Sequence, residues 1–251
     1  IPPVEKRIEP LEDIKIINAE LALSDLEILE KNYQKLKKTQ KTEDDKKKIS
    51  VIEKAIELIS KEQRILNNLD KDEIEYLSIF QLISIKPVVY VCNVDENSSV
   101  NGNSHTKSIE EYSKLNNSET LLVSAKIESE ISQISDNEEK KMFLDSMGLK
   151  ETGLKRVIKK GYALLNYINF FTAGEKELRA WTISKGTLAP SAAGEIHTDM
   201  EKGFIRAETI SYEDYIEYNG ESGAKEKGKL RLEGKEYEVN DGDVMHFLFN
   251  V

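Results

Sequence analysis

The sequence predicts an α+β chain of several domains: a helical hairpin, then part of an α/β domain, then a small mixed sheet crossed by a helix. Three observations carry this. Apolar residues recur at helical spacing through the first 70 residues, and two short β-branched runs sit in the middle of the chain. From about residue 168 the helical stripes give way to Gly, Thr and aromatic residues between turn signals.

Residues 11–70 read as two long helices within a first region, 1–70. Ala22, Leu26, Leu29, Tyr33 and Leu36 fall on one helical face, and Ile49, Ile52, Ile56, Ile59 and Leu66 do the same in the second helix. Between them "KKTQKTEDDKKK" has no apolar residue and reads as a polar link. Two single-striped helices bury their stripes by folding back on each other. The charge runs read most simply as solvated faces, and a contact surface for a large partner is the alternative.

The middle region, 71–167, reads as part of an α/β domain. A short helix is expected over Asp72–Ser84, with Ile74, Leu77, Phe80 and Gln81 facing one way. Pro87 separates it from "VVYVC", a run apolar on both faces, as in a parallel strand covered by helices. "NSSVNGNSH" reads as a loop, "TLLVSAK" (120–126) as a second strand ending in a small polar turn, and 137–147 as helix. Ligands of such sheets sit at the C-terminal ends of the strands. In the last region, 168–251, "ELRAWTI", "KLRLEGKEYEV" and "DVMHFLFNV" read as strands and Ser191–Ile196 as a helix.

Composition narrows the function classes. A net charge of -10 argues against a general nucleic-acid binder, since such proteins work by neutralising phosphates. The single cysteine, Cys92, allows no internal disulfide framework and suggests a reducing compartment. No apolar leader is visible in "IPPVEKRIEP", and the longest apolar stretch is broken by Lys86 and Pro87. The expectation is a cytoplasmic protein without a membrane span, in which the sequons at Asn97 and Asn116 are chance matches.

Where the first strand ends stands "NVDE", Asn93 to Glu96. GTPases end the corresponding strand in Asn-Lys-x-Asp, where the Asp carboxylate accepts from guanine N1–H and N2–H and the Asn amide works on the other edge of the base. Glu96 is one methylene longer than Asp, and Val94 stands in the Lys position. A longer carboxylate cannot hold the same two-bond geometry without moving, which erodes guanine preference. A polar strand-end turn is the plain structural reading. "SAK", Ser124 to Lys126, ends the second strand about thirty residues later, where GTPases support the base through backbone N–H groups. Together the two endings point to a nucleotide pocket.

The phosphate loop is the harder test. A P-loop reads G-x-x-x-x-G-K-[ST], its backbone N–H groups wrapping phosphate and its hydroxyl holding Mg2+. The near match "GAKEKGKL" (223–230) offers Leu230 where the hydroxyl belongs, and a strand rather than a helix follows it, so it reads as a basic, Gly-flexible loop. His105, His197 and His246 are too scattered to suggest a metal site. Trp181 and Phe170, Phe171, Phe204, Phe247 and Phe249 read as core more than as a base-stacking platform. Lys225, Lys227, Lys229 and Arg231 could touch RNA phosphate, although Glu221 and Glu226 dilute the cluster.

With these residues in view, the chain resembles the YchF or Obg-like ATPases, Obg-related P-loop NTPases. The phrases that carry the resemblance are "PLEDIKIINAELALSDLEILEK", "KPVVYVCNVDE", "GLKRVIKKGYALLNYINFFTAGEKELRAWTI", "AAGEIHTDMEKGFIRAETISYEDYIEY" and "GDVMHFLFNV", which run through essentially the whole chain. The resemblance implies a coiled-coil helical insertion (1–70), the C-terminal part of a P-loop NTPase (G) domain (71–167) and a TGS domain of ubiquitin-like β-grasp fold (168–251). It implies ATP in preference to GTP, with Asn93 and Glu96 at the base, Val94 contributing backbone, and Ser124, Ala125 and Lys126 on its other side. It further implies Mg2+ with ATP in the full-length protein and a ribosome or ribosomal subunit as partner. The family's P-loop and Mg2+-binding switch residues precede the helical insertion, where this chain begins, and "IPPVEKR" departs from the family pattern. The expectation is therefore a piece of a longer protein, without catalytic or metal-binding residues of its own. A non-enzymatic module for ribosome, RNA or protein contact is the alternative.

Overall fold

In a computed structural model of the chain, which describes residues 8–39, 42–61, 64–174 and 177–250, Pro10 opens the 30-residue helix α1 (Pro10–Thr39). Proline suits a first helical turn, where its missing N–H would find no partner anyway. Helix α2 (Glu43–Ser60) opens on a capping box: Asp45 N–H donates to the Thr42 hydroxyl at 3.1 Å, and Thr42 N–H donates to Asp45 Oδ2 at 3.0 Å. The polar link is therefore shorter than the sequence suggests, because this box recruits "EDDKKK" into helix. Gln40 and Lys41 of that link, and "IPPVEKR", lie outside the described residues.

The two stripes meet. Ala22, Leu26, Leu29, Tyr33 and Leu36 of α1 join Ile52, Ala55, Ile56 and Ile59 of α2 in one cluster. Leu66 is displaced from the stripe. Helix α2 stops at Ser60, and a 3-10 turn, Ile65–Asn67, buries Ile65 in its place. Full burial of one aliphatic side chain is worth about 1.5–3 kcal/mol. The exposed pairs Lys46–Glu43, Lys48–Asp44 and Lys61–Glu57 are worth tenths of that each. The apolar stripe, not the charge, holds the two helices together.

Helix α3 (Lys71–Ser78) ends six residues before the expected Ser84. Gln81 adopts φ 53°, a left-handed conformation that no helix continues through. Strand β1 (Val89–Asn93), helix α4 (Ser104–Leu115) and strand β2 (Glu119–Val123) form a βαβ unit with β1 and β2 parallel, Asn93 opposite Val123. Tyr90 packs edge-on against Tyr112 of α4, and Val91, on the other face, stays 48% exposed. The expectation of helical cover on both faces is thus only half met, because among the described residues this sheet has two strands and α4 spans one side. Helices α5 (Ala125–Gln133), α6 (Asn137–Ser146) and α7 (Gly153–Leu164) follow.

The described residues fall into two units, Ile1–Val157 and Ile158–Val251. The second is built on β3 (Tyr167–Ala173), β4 (Leu178–Ser184), β5 (Phe204–Ile210), β6 (Arg231–Glu233) and β7 (Val244–Phe249), in the order β4-β3-β7-β5-β6. Strands β3 and β7 run parallel and the other neighbours antiparallel. Helix α8 (Ala189–Ile196) lays Ala189, Ala192 and Ala193 on a core of Phe170, Ile183, Phe204, Met245 and Phe247. Small residues bring the helix close to these rings. Three short helices complete the unit: α9 (Thr198–Lys202), α10 (Tyr212–Glu217) and α11 (Glu221–Glu226). "KLRLEGKEYEV" is a strand only over Arg231–Glu233, after which it turns and pairs with Leu188 through a single bridge at Glu238.

Candidate nucleotide-base site

The end of β1 and the start of α5 are the elements that position the predicted residues. Pairing continues one residue past β1, since Val94 N–H donates to Val123 O at 2.9 Å. This fixes the Val94 backbone beside the strand end, while the chain turns away through an ordered loop. In that loop Asp95 Oδ1 accepts from Ser98 N–H at 2.8 Å, and the buried Ser99 donates its hydroxyl to Glu96 O at 2.7 Å. Gly102, at φ 68°, lets the loop reverse into the α4 cap, where Asn103 and Thr106 form a capping box.

Ser124, Ala125 and Lys126 are not the simple polar turn expected. Ser124 is the residue before α5, and Ala125 and Lys126 form the helix's first turn. The physical reason is the pair Ile127 and Ile131, both buried, whose burial needs helix from Ala125 onward. First-turn N–H groups have no partner within the helix. Ala125 N–H donates instead to Asn93 Oδ1 at 3.1 Å, clamping the end of β1 to the start of α5. Among the described residues that leaves the Asn93 Nδ2 group without a partner.

Lys126 reaches across to the other member of the motif. Its ammonium makes an ion pair with Glu96 Oε1. This hydrogen-bonded ammonium holds the Glu96 carboxyl below the usual carboxylate range and raises Lys126 in return. Ser124 is buried, and its Oγ finds no partner among the described residues. Asn93 therefore meets Ala125 and Glu96 meets Lys126 in direct contacts, Val94 stands beside them through its backbone, and Ser124 precedes the helix without a side-chain cap.

Three supporting residues carry no local signal in the sequence. Glu128 caps the start of α7, accepting from Gly153 N–H at 2.6 Å and Leu154 N–H at 3.0 Å. Asn18 of α1 donates to Tyr90 OH at 3.3 Å and to Tyr112 OH at 3.1 Å, tying the first helix to the strand that ends in Asn93. Asp25 of α1 is fully buried and accepts from Ile83 N–H at 2.9 Å and Ser84 N–H at 2.7 Å. The backbone after α3, which has left helical geometry, finds its partners there.

The basic cluster of the second unit divides in two. "GAKEKGKL" is not a flexible loop throughout: Gly223–Glu226 lie in α11, and Gly228, at φ 69°, ends that turn before β6. A helix leads into this segment and a strand follows it, the reverse of the strand-to-helix path that a phosphate loop needs. Lys229 pairs with Asp214 at 3.1 Å. Arg231 donates to Glu233 at 2.9 Å, to Tyr237 OH at 3.0 Å and to the buried Asp243 at 3.4 Å. Lys225 and Lys227 are exposed. Among the described residues no three His, Cys, Asp or Glu side chains are placed to hold a metal ion, and no helix is long and apolar enough to cross a membrane.

Comparison with known proteins shows the family. The family model YchF-GTPase_C, described as "Protein of unknown function (DUF933)", matches residues 167–250. The chain is 49% identical over 251 residues to the "Ribosome-binding ATPase YchF" of Haemophilus influenzae, covering 99% of this chain and 69% of that protein. It is 45% identical over 253 residues to the protein of the same name from Bacillus subtilis, with the same coverage of each. The solved structure of the Schizosaccharomyces pombe YchF GTPase superimposes with a TM-score of 0.85 at 32% identity, over 99% of this chain and 68% of that one. A GTP binding protein from Pyrococcus horikoshii shares the fold, with a TM-score of 0.59 at 19% identity, over 98% of this chain and 73% of that one. The chain belongs to the YchF family.

Proposed function

We propose that this chain is the base-reading and partner-contacting part of a ribosome-associated ATPase of the YchF type. The observation that carries the reading is the meeting of Asn93 and Glu96 with Ala125 and Lys126 across the parallel pair of strands. It stands in a chain 49% identical to a protein named for ribosome binding and ATP hydrolysis. Asn93 offers its amide donor to the ring-nitrogen edge of the base, Val94 offers backbone, and Ser124, Ala125 and Lys126 close the other side. ATP is the favoured nucleotide and GTP the weaker one, because Glu96 replaces the shorter acid that guanine needs.

In the full-length protein the reaction is hydrolysis of the β–γ bond of ATP, with Mg2+ carried by the phosphates. Mg2+ would supply charge neutralisation at the transferring phosphoryl group. The residues of this chain bind and orient the base. Phosphate contacts dominate nucleotide affinity, so the 251-residue chain alone binds ATP weakly and turns none over.

The assignment of residues 1–70 to a coiled-coil insertion, 71–167 to the C-terminal part of the G domain and 168–251 to a TGS domain belongs to the same proposal. For the last of these, support comes from the order β4-β3-β7-β5-β6, with β3 and β7 parallel and α8 following the second strand. That order is the one expected of a β-grasp. The helical pair and this last domain meet the ribosome, Lys225 and Lys227 being the exposed cations best placed for a local RNA contact. A ribosomal partner places the protein in the cytoplasm.

Calorimetry tests the reading. Full-length protein should bind Mg·ATP more tightly than Mg·GTP and should sediment with ribosomes in a nucleotide-dependent way. Micromolar Mg·ATP binding by the 251-residue chain alone would overturn the division of labour between base and phosphate sites. Ribosome binding indifferent to nucleotide would favour a non-enzymatic contact module instead.

A further inference from the structure

We infer that Lys126 sets the base specificity of this site by occupying Glu96, not by touching the base. The inference rests on the base-site reading above. Guanine and adenine differ at the edge that a carboxylate at position 96 would face. Guanine presents two donors there, N1–H and the N2 amino group, whereas adenine presents the N1 lone pair. A free carboxylate attracts the first and repels the second.

In this structure the carboxylate is not free. Glu96 Oε1 is engaged by the Lys126 ammonium, which projects from the first turn of α5. The pair removes an acceptor that guanine would use and cancels the negative charge that would oppose adenine N1. The other guanine partner of such sites, the backbone N–H two residues into "SAK", is also engaged. Ala125 N–H donates to Asn93 Oδ1, so it does not wait for a carbonyl oxygen on the base. Both contacts act in one direction: guanine loses an acceptor and a donor, and adenine N1 loses a negative charge that would oppose it. Lys126 is thus a positioning residue for Glu96. An arginine could replace it, and an uncharged side chain of similar length could not.

The experiment is a double-mutant cycle on full-length protein, reading dissociation constants for Mg·ATP and Mg·GTP at fixed ionic strength. Lys126→Met should lower the preference for ATP over GTP by about tenfold, in line with a charged hydrogen bond to guanine regained at a half-exposed group. Lys126→Arg should keep the wild-type preference. In a Glu96→Gln background, Lys126→Met should leave the preference unmoved. Equal weakening of both nucleotides by Lys126→Met would show a merely structural side chain and overturn the inference. The same shift of preference in the Glu96→Gln background would show that Lys126 meets the base directly, which also overturns it. Wild-type protein that binds neither nucleotide would bring down the base-site reading itself.

Discussion

The side-chain oxygen of Asn93 accepts the first free N–H of α5, from Ala125, at 3.1 Å. One half of the amide is thereby structural and the other half is left to a ligand. The halves can be separated. Asn93→Asp keeps the acceptor and loses the donor, so nucleotide affinity of the full-length protein should fall about tenfold while the melting temperature holds. Asn93→Ala loses both, and unfolding of the 251-residue chain should become easier by about 1 kcal/mol as well. Thermal melts beside nucleotide titrations check the split.

Glu96 and Val94 stand where guanine-binding sites place Asp and Lys. Glu96→Asp with Val94→Lys should move the full-length protein toward GTP, since the shorter acid regains the two-bond geometry and escapes the reach of Lys126. Unchanged ratios of ATP to GTP affinity would reject a base-reading role for position 96.

The Glu96 carboxyl should titrate below the usual glutamate value of about 4.3, because Lys126 holds it ionised. Its folded value lies beneath its unfolded one. The contribution of the pair is therefore complete above the unfolded value and fades as pH falls through the folded one. Nucleotide preference should then be flat from about pH 6 to 8, and Lys126→Met should move the carboxyl upward in a side-chain NMR titration. A preference that changes across neutral pH would point to some other group.

Asp25 and Ser84 make a contrast within one small region. Asp25→Ala strands two backbone N–H groups, those of Ile83 and Ser84, and should cost about 2–4 kcal/mol in urea unfolding. Ser84→Ala removes a buried hydroxyl that has no partner among the described residues, and should be neutral or stabilising by up to about 1 kcal/mol. Equal losses in the two variants would contradict the assignment of partners.

Two kinds of cation share the segment from Lys225 to Arg231. Arg231→Ala removes the cation beside the buried Asp243, which keeps Tyr237 OH and the Asn240 N–H, and should destabilise the second unit by about 1–2 kcal/mol. Lys225→Ala with Lys227→Ala breaks no ion pair among the described residues, so stability should stay within about 0.5 kcal/mol. The second pair should nonetheless weaken ribosome sedimentation, most clearly at low salt. Losses of binding that track stability, not exposed charge, would remove these lysines from the interface.

What could be read from the sequence follows the range over which each signal acts. The stripe of Ala22, Leu26, Leu29, Tyr33 and Leu36 and the runs that became β1 and β2 are local patterns, and all of them formed. Helix α5 was legible in principle, since Ile127 and Ile131 stand four apart, but the polar Ser124–Lys126 masked its start. The short helices α10 and α11, of six residues each, hold too few turns for any period to emerge. Strand β5 mixes Arg206 and Glu208 into its alternation, because its outward face is wet. The contacts that complete the site lie further apart in the chain: Asn18 meets Tyr90 and Tyr112 across 72 and 94 residues, and Glu128 meets Gly153 across 25. Nothing nearby in sequence announces such pairs.

Helix α1, finally, carries two polar fastenings seven residues apart, Asn18 at the tyrosines of β1 and α4 and Asp25 at the backbone after α3. At 1.5 Å per residue these fastenings lie about 10 Å apart, and about 21 Å of helix runs on from Asp25 to Thr39. The strand that ends in Asn93 is thereby tied to the same helix whose far half packs on α2 through Leu29, Tyr33 and Leu36, so one helix joins the base-site strand to the helical pair.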